Sequence, residues 1–374
     1  MRKRLKMKGK ISNIDEAKIF VQGATFLGTG GGGFPAEGLR VLGEALDAKG
    51  KIEWSDVDDI ADDEIAICTF LMGSTAPMTP EKEEQMKKLG LTDKKFKTNM
   101  MNAISEWEEY TGRHVDIVVP LEVGGSNLPA PMAVATMMGK KIVDGDYAGR
   151  AIPEIFQISL QKEDVNLCPA VSFDKYGNIS IIKSAISLTI GERMGKYLSE
   201  VAFGSTAIAG FPITGKQLKR LIVKGSVSQA YRAGELIEEA KDDPKKLPEL
   251  VSELGMTKIF EGVTVRKDWV DENGYYMGYH YLKGENEYAG HELKMYFKNE
   301  THIVWIDGEY KVSSPDLICT IEPDTVVPLR NDDIVEGTRI AVYQKACLPI
   351  LRDEKIKKYI DPQYFGFDIE YKEI

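Results

Sequence analysis

The sequence is poor in the residues that most often mark metal and redox sites. Its 374 residues include four cysteines and four histidines, with no Cys-x-x-Cys pair and no His-x-His or His-x-x-x-His spacing. These absences disfavour a zinc hydrolase of the many-histidine type. The cysteines, all in apolar surroundings, are expected to be free thiols in a reducing compartment. They are Cys68, Cys168, Cys319 and Cys347.

Long apolar stretches and an excess of positive charge are also missing. The longest apolar run, Met132–Met138, is too short to span a bilayer. No apolar segment follows the basic start at Met1–Lys10, so a signal peptide is not expected. Acidic residues outnumber basic ones by 58 to 48, which disfavours binding to phosphate backbones. We therefore expect a cytoplasmic protein with no membrane and no nucleic-acid partner.

The first half of the chain has the pattern of an α/β domain. Short apolar runs at 65–71, 115–119 and 141–143 are typical of buried strands, and amphipathic helical segments alternate with them. Strands that are apolar throughout must be covered on both sides. The pattern predicts an N-terminal three-layer α/β domain with a mostly parallel sheet, which we place at residues 1–167.

The second half, residues 168–374, has a different pattern. A hairpin is predicted at 171–189, and helices are predicted within 192–240. From residue 258 onward, short β segments are separated by turn residues at near-regular spacing, as in a barrel or a sandwich. We expect a β-rich C-terminal domain with a few helices.

The segment Gly28–Gly33 has glycine at five of its six positions. Its Gly-x-Gly-x-x-Gly spacing matches a dinucleotide fingerprint, but a helix precedes it where a strand is required, so no nucleotide is expected. A corner between two helices needs only about two glycines. The others allow the backbone to approach a ligand and to direct N–H groups at it. The candidate substrate-binding residues here are Thr29, Gly30, Gly31 and Gly32.

Three further loops follow the predicted strands. The carboxyl ends of parallel strands meet at one edge of the sheet, where ligands bind in open α/β folds. Each loop combines glycine with polar side chains, which predicts a composite site for a small molecule. The candidates are Ser74 after the first strand, Glu122, Gly124, Gly125 and Asn127 after the second, and Asp144, Asp146 and Arg150 after the third.

Carboxylate chemistry is the default for any enzyme here, because no Gly-x-Ser-x-Gly elbow is present. Glu122 is a candidate general base or metal ligand, and Asn127 can orient a carbonyl, although either can instead cap the next helix. Asp144 and Asp146 can share a divalent metal or raise each other's pKa, and capping turns use the same residues. Arg150 can hold a substrate carboxylate or pair with a neighbouring acid.

Several segments along the chain form a recognisable combination. They are Phe26–Gly33, Met72–Ser74 with Glu81 and Lys82, Glu122–Asn127, Val143–Glu154, Glu192–Arg193, Pro212–Gly215, Gly225–Ser228 and Ser314–Ile318. Together these segments resemble the S-methyl-thiohydantoin desulfurase-like family. The resemblance runs nearly end to end, and the combination is specific although each segment alone is weak.

The resemblance implies a three-layer α/β domain followed by a barrel-like domain. It also implies a hydrolase or lyase that acts on a small cyclic amide, such as a hydantoin or an S-methyl-thiohydantoin. Because the family is often found beside hydantoinase/oxoprolinase-type enzymes, the alternative is a non-catalytic metabolite-binding subunit or partner of such an enzyme. The candidate cofactor is a divalent metal, with Asp144 and Asp146 as its candidate ligands. Base rates favour a homo-oligomer.

Overall fold

The computed structural model describes residues 9–73, 79–91, 99–272 and 274–374. Among these residues, no helix is both long and apolar enough to cross a membrane. The helices are α1 (Ile14–Leu27), α2 (Pro35–Lys49), α3 (Pro80–Lys88), α4 (Asn99–Thr111), α5 (Pro129–Met138), α6 (Leu188–Val201), α7 (Gly215–Leu221), α8 (Ser226–Ala240), α9 (Leu247–Val251) and α10 (Glu354–Lys357).

The strands form a five-stranded sheet, a seven-stranded sheet and two short pairs. They are β1 (Lys10–Ile11), β2 (Ile52–Glu53), β3 (Ile65–Gly73), β4 (Ile117–Val119), β5 (Gly145–Asp146), β6 (Ala170–Asp174), β7 (Ile179–Ile182), β8 (Ser205–Thr214), β9 (Val223–Lys224), β10 (Met256–Glu272), β11 (Tyr275–Gly284), β12 (Glu292–Lys298), β13 (Glu300–Ile306), β14 (Glu309–Ser313), β15 (Leu317–Ile321) and β16 (Arg339–Lys345).

The N-terminal sheet is mixed, with the strand order β4-β3-β8-β6-β7. β3 and β4 are parallel, as predicted, and Lys141 forms a further parallel bridge to Ile117. The other three pairings are antiparallel. A mostly parallel sheet was therefore too simple a prediction, because the hairpin β6–β7 and the unpredicted strand β8 complete the sheet from beyond residue 167.

Helices cover both faces of this sheet and give the three layers that were predicted. α4 packs on one face, where Met100, Ile104 and Trp107 recur at helical spacing and are buried. α6 packs on the opposite face against β3 and β8. Since both faces are covered, β3 is apolar and buried along most of its length.

The C-terminal sheet is antiparallel and curls into a half-barrel, in line with the predicted barrel-like domain. Its seven strands have the order β14-β13-β12-β11-β10-β16-β15. β10 is 17 residues long and pairs with β16 over its first half and with β11 over its second half. The hairpin β10–β11 therefore extends beyond β16, toward the N-terminal domain.

Candidate functional site

A cavity of about 680 Å³ lies between the N-terminal sheet and the half-barrel. The Gly30–Gly33 loop and the residues at the ends of β3 and β4 form one side of it. The tip of the β10–β11 hairpin and the turn between β12 and β13 form the other side, and α6 contributes a further wall. The parallel pairing of β3 and β4 brings their carboxyl ends together at this cavity, as the sequence predicted.

Two glycine-rich loops meet backbone to backbone beside the cavity. A Cβ added to Gly32 would lie 2.4 Å from the Cα of Gly124, closer than two carbon atoms can approach. The carbonyl of Gly32 accepts the N–H groups of Ser126 and Asn127, each at 3.1 Å. The glycines at 32 and 124 are thus required by the contact between the loops. Gly125 packs against Thr25 and, like Gly124, does not line the cavity.

The Gly30–Gly33 loop lines the cavity and carries backbone N–H groups that are not all used within the described part of the chain. The N–H of Gly31 donates to the carbonyl of Gly28 at 2.9 Å. The N–H groups of Gly32 and Gly33 have no acceptor within the described ranges of the chain. Both residues have positive φ, +80° and +84°, and they directly precede α2. The geometry provides donors for a carbonyl oxygen or an anion near a helix N-terminus.

Glu122 follows β4 and lines the cavity, although only 6% of its surface is exposed. One of its carboxyl oxygens accepts the side-chain amide of Asn127, and the other accepts the N–H of Ile152 at 2.6 Å. Burial raises the pKa of Glu122 to about 8 although both hydrogen bonds favour the charged form. Asn127 therefore orients Glu122 and does not cap α5, whose N-cap residue Leu128 makes no side-chain bond.

Glu300, at the turn between β12 and β13, is a second carboxyl group in the cavity that the sequence analysis missed. It is 3% exposed, and its Oε1 atom lies so close to Gly31 that a Cβ there would be 2.0 Å away. Its Oε2 atom is buried without a hydrogen-bond partner in the described part of the chain. Burial, with a further contribution from the charge of Glu122, raises the pKa of Glu300 well above its ordinary value.

A pair of oppositely charged side chains on α6, Glu192 and Lys196, also lines the cavity. Glu192 accepts the N–H of Ile155 at 3.0 Å and lies 3.4 Å from the ammonium group of Lys196. Lys196 also donates to the hydroxyl of Tyr275 on β11. Burial raises the pKa of Glu192 to about 7. Ile152, whose N–H binds Glu122, and Ile155 belong to the same short segment, 152–155. That segment therefore positions both carboxyl groups.

Arg150 lies behind the cavity wall and not in it. Its guanidinium donates to the carbonyls of Ala151, Asp316 and Thr301 at 3.1, 2.9 and 2.8 Å, and to the hydroxyl of Thr29 at 3.1 Å. Its side chain is completely buried, and burial lowers its pKa to about 10. The sequence analysis suggested a grip on a substrate carboxylate or a salt bridge. In the structure Arg150 instead ties the glycine-rich loop to the half-barrel.

Asp144 and Asp146 are held by different parts of the chain. Asp144 accepts the N–H of Ser228 in the first turn of α8, at 2.9 Å. Asp146 is fully buried, accepts the N–H groups of Ala148 and Gly149, and has a pKa that burial raises to about 7. In the described ranges, no group of three His, Cys, Asp or Glu side chains is arranged to hold a metal ion.

The structure thus separates the predicted site residues into two sets. Those that line the cavity are Gly30, Gly31, Gly32, Glu122 and Asn127. Those that do not line it are Thr29, Gly124, Gly125, Asp144, Asp146 and Arg150. Ser74 falls outside the described residues. The cavity residues that sequence reasoning did not select as site residues include Glu192, Lys196, Tyr275 and Glu300.

Comparisons with known proteins give a consistent result over the whole chain. Residues 15–184 match the family model described as "S-Me-THD-like, N-terminal domain", and residues 188–374 match "S-Me-THD-like, C-terminal domain". No curated protein matches the chain. A crystal structure of a protein from Chromobacterium violaceum, determined by structural genomics, is 20% identical with a TM-score of 0.75, and the match covers 98% of this chain and 100% of that one. At this identity the likeness shows the fold alone.

Proposed function

The chain belongs to the S-Me-THD-like family, and from this premise we propose that it hydrolyses the C–S bond of a small cyclic amide of the S-methyl-thiohydantoin type. Glu122 is the general base and Glu300 the general acid. One observation carries the proposal. Two buried carboxyl groups line one cavity, and Glu300 keeps an oxygen that no group in the described chain satisfies. A bound ring offers that oxygen a partner.

The assignment of the two roles follows from their surroundings. Glu122 accepts two hydrogen bonds that favour its charged form, from Asn127 and from Ile152. Glu300 has one carboxyl oxygen without a hydrogen-bond partner in the part of the chain that the structure describes, and the charge of Glu122 opposes its ionisation. When one proton leaves the pair, Glu122 therefore ionises first and Glu300 remains protonated. Two carboxyl groups whose pKa values are pushed apart are typical of acid and base partners.

In the proposed reaction one proton passes through Glu122 and one through Glu300, and each carboxyl group ends in the protonation state in which it began. Glu122 removes a proton from a water molecule, whose oxygen attacks the ring carbon between the two nitrogens as Glu300 protonates the adjacent ring nitrogen. The new C–O–H group then returns a proton to Glu300, a C=O bond forms and the C–S bond breaks. Methanethiolate leaves with the proton held by Glu122. The products are a hydantoin and methanethiol, and both carboxyl groups regain their starting states.

The remaining cavity residues suit this substrate. The N–H groups of Gly32 and Gly33, which have no acceptor among the described residues, can hold the ring carbonyl oxygen, which gains negative charge as the ring is attacked. Apolar and aromatic side chains, including Phe70 and Trp269, provide surfaces for a flat ring. The volume of about 680 Å³ is in the range that holds drug-sized ligands, so it also accepts a substituent on the ring.

Turnover of a substrate panel tests the proposal. S-methyl-thiohydantoin, hydantoin and a simple lactam are incubated with wild type, Glu122→Gln and Glu300→Gln, with thiol release and ring products followed separately. We expect wild type to release methanethiol and each variant to lose about 10²–10⁴-fold in kcat, the usual contribution of a general acid or base. Glu37→Gln, at the edge of the cavity and paired with Arg40, is the matched control and should retain activity.

Two outcomes of this assay would contradict the proposal. If wild type binds the thiohydantoin tightly, but no release of methanethiol is detected, the proposed hydrolysis is wrong. Such a result would favour the non-catalytic metabolite-binding subunit that the family resemblance also allows. Equal rates in wild type and Glu122→Gln would reject Glu122 as the general base, and only the cavity as a binding site would remain of the proposal.

A further inference from the structure

The outer face of α6 carries an exposed apolar stripe. Ile190, Met194, Tyr197 and Val201 are 40, 39, 53 and 67% exposed, and their spacing of three or four residues places them on one side of the helix. Ile186, just before the helix, is 92% exposed and continues the stripe. The opposite side of α6 packs on the N-terminal sheet, so the stripe lies outside the buried core of the subunit.

The size of this surface suits a protein contact. The exposed fractions of the five residues amount to nearly three fully exposed large side chains, on the order of 500 Å² of mostly apolar surface. A single soluble subunit seldom exposes a much larger continuous patch unless it is functional. A typical stable interface removes about 800 Å² from each partner, with an apolar centre and a polar rim. The stripe and its charged border can supply that centre and rim.

The charges beside the stripe indicate which partner covers it. Arg193 and Glu200 lie on the same flank of the stripe, seven residues apart. Arg193 donates to the hydroxyl of Tyr197, and in the described chain neither Arg193 nor Glu200 has an ion-pair partner. When two copies of α6 pack antiparallel around a two-fold axis, Arg193 of each copy lies beside the partner's Glu200. A patch that complements itself in this way is the signature of an isologous contact.

We propose that α6 packs antiparallel against α6 of a second copy of this chain, with the apolar stripe at the centre and two Arg193–Glu200 ion pairs at the border. The same helix directs Glu192 and Lys196 into the cavity, so the contact holds one cavity wall in place in each subunit. The proposal does not depend on the reaction assigned to the cavity.

Molar mass in solution tests this interface. Wild type and Met194→Glu/Tyr197→Glu are measured by sedimentation equilibrium and light scattering at low micromolar concentration. We expect wild type to be a dimer or a multiple of it, and the double variant to have half the wild-type mass. Leu89→Glu is the matched control, because Leu89 is a 66% exposed apolar residue outside α6, and it should not change the mass.

A charge exchange separates the proposed pairing from simple disruption. Arg193→Glu and Glu200→Arg should each weaken the dimer at least tenfold, and the double exchange should restore most of its affinity. Circular dichroism of each variant verifies the fold. A monomeric wild type overturns the proposal. So does a wild-type oligomer whose mass the Met194→Glu/Tyr197→Glu variant leaves unchanged, because another surface then forms the contact.

Discussion

Replacing Glu122 by Gln should change how the stability of the protein depends on pH. Burial raises the pKa of Glu122 from an ordinary value of 4.5 to about 8, so the folded state keeps a proton that the unfolded chain releases. Between these values the unfolded state binds fewer protons than the folded state, and the free energy of unfolding falls as the pH rises. Gln cannot ionise, so the variant lacks this contribution.

The magnitude follows from the two pKa values. A change from 4.5 to about 8 corresponds to about 5 kcal/mol, lost at about 1.4 kcal/mol for each pH unit within that window. The Gln side chain has one oxygen and one NH2 group, so the NH2 group faces one of the two donors that bind Glu122. This lost hydrogen bond costs about 1–3 kcal/mol at every pH. Relative to wild type, Glu122→Gln should therefore be least stable near pH 5 and should gain stability steadily up to about pH 8.

Urea unfolding monitored by tryptophan fluorescence from pH 5 to pH 9 measures this difference. The exposed Glu83→Gln on α3 is the control and should follow wild type at every pH. The diagnostic quantity is the pH slope of the difference, because the constant loss of a hydrogen bond has no slope. A difference between Glu122→Gln and wild type that stays constant from pH 5 to pH 8 would refute a buried, protonated Glu122.

Three further substitutions test the supports of the cavity. Gly32→Ala should cost about 1–3 kcal/mol of stability because the residue has positive φ and its Cβ would strike Gly124; thermal unfolding measures it. Arg150→Met should lower the free energy of unfolding in urea by about 3–5 kcal/mol, because it leaves buried carbonyl acceptors unpaired. A raised KM with unchanged stability would show that Arg150 binds substrate and does not connect the two domains. Lys298→Met leaves the buried Glu154 without its ion partner and should lower the melting temperature by several degrees, whereas an unchanged melting temperature would contradict that pairing.

Much of the fold could be predicted because local patterns specify it. Asn13 is a residue type that favours the start of a helix, and its side chain accepts the N–H of Glu16 at the start of α1. The apolar periodicity of α4 gives its buried face. β8 was missed because its many small residues and the proline at position 212 give no strand pattern. Its place between β3 and β6 is decided by pairing with strands that are distant in the sequence.

The site was predicted less completely, for a related reason. Glu122 was found because it follows a parallel strand, and the edge where parallel strands end is a general location for ligands. Glu300 lies in a turn of a different domain, and only the fold brings it against Gly31. Arg150 was assigned to the cavity because its loop leaves the correct edge. The direction of its side chain depends on carbonyls of the half-barrel, which no local pattern specifies.

The dependence of kcat/KM on pH for the thiohydantoin is the most direct test of the carboxyl pair. With Glu122 as the base, kcat/KM should rise tenfold per pH unit below the pKa of Glu122, reach half its limit near pH 8 and then level off. A rate that is independent of pH between 6 and 9, or that falls across this range, would contradict the central claim.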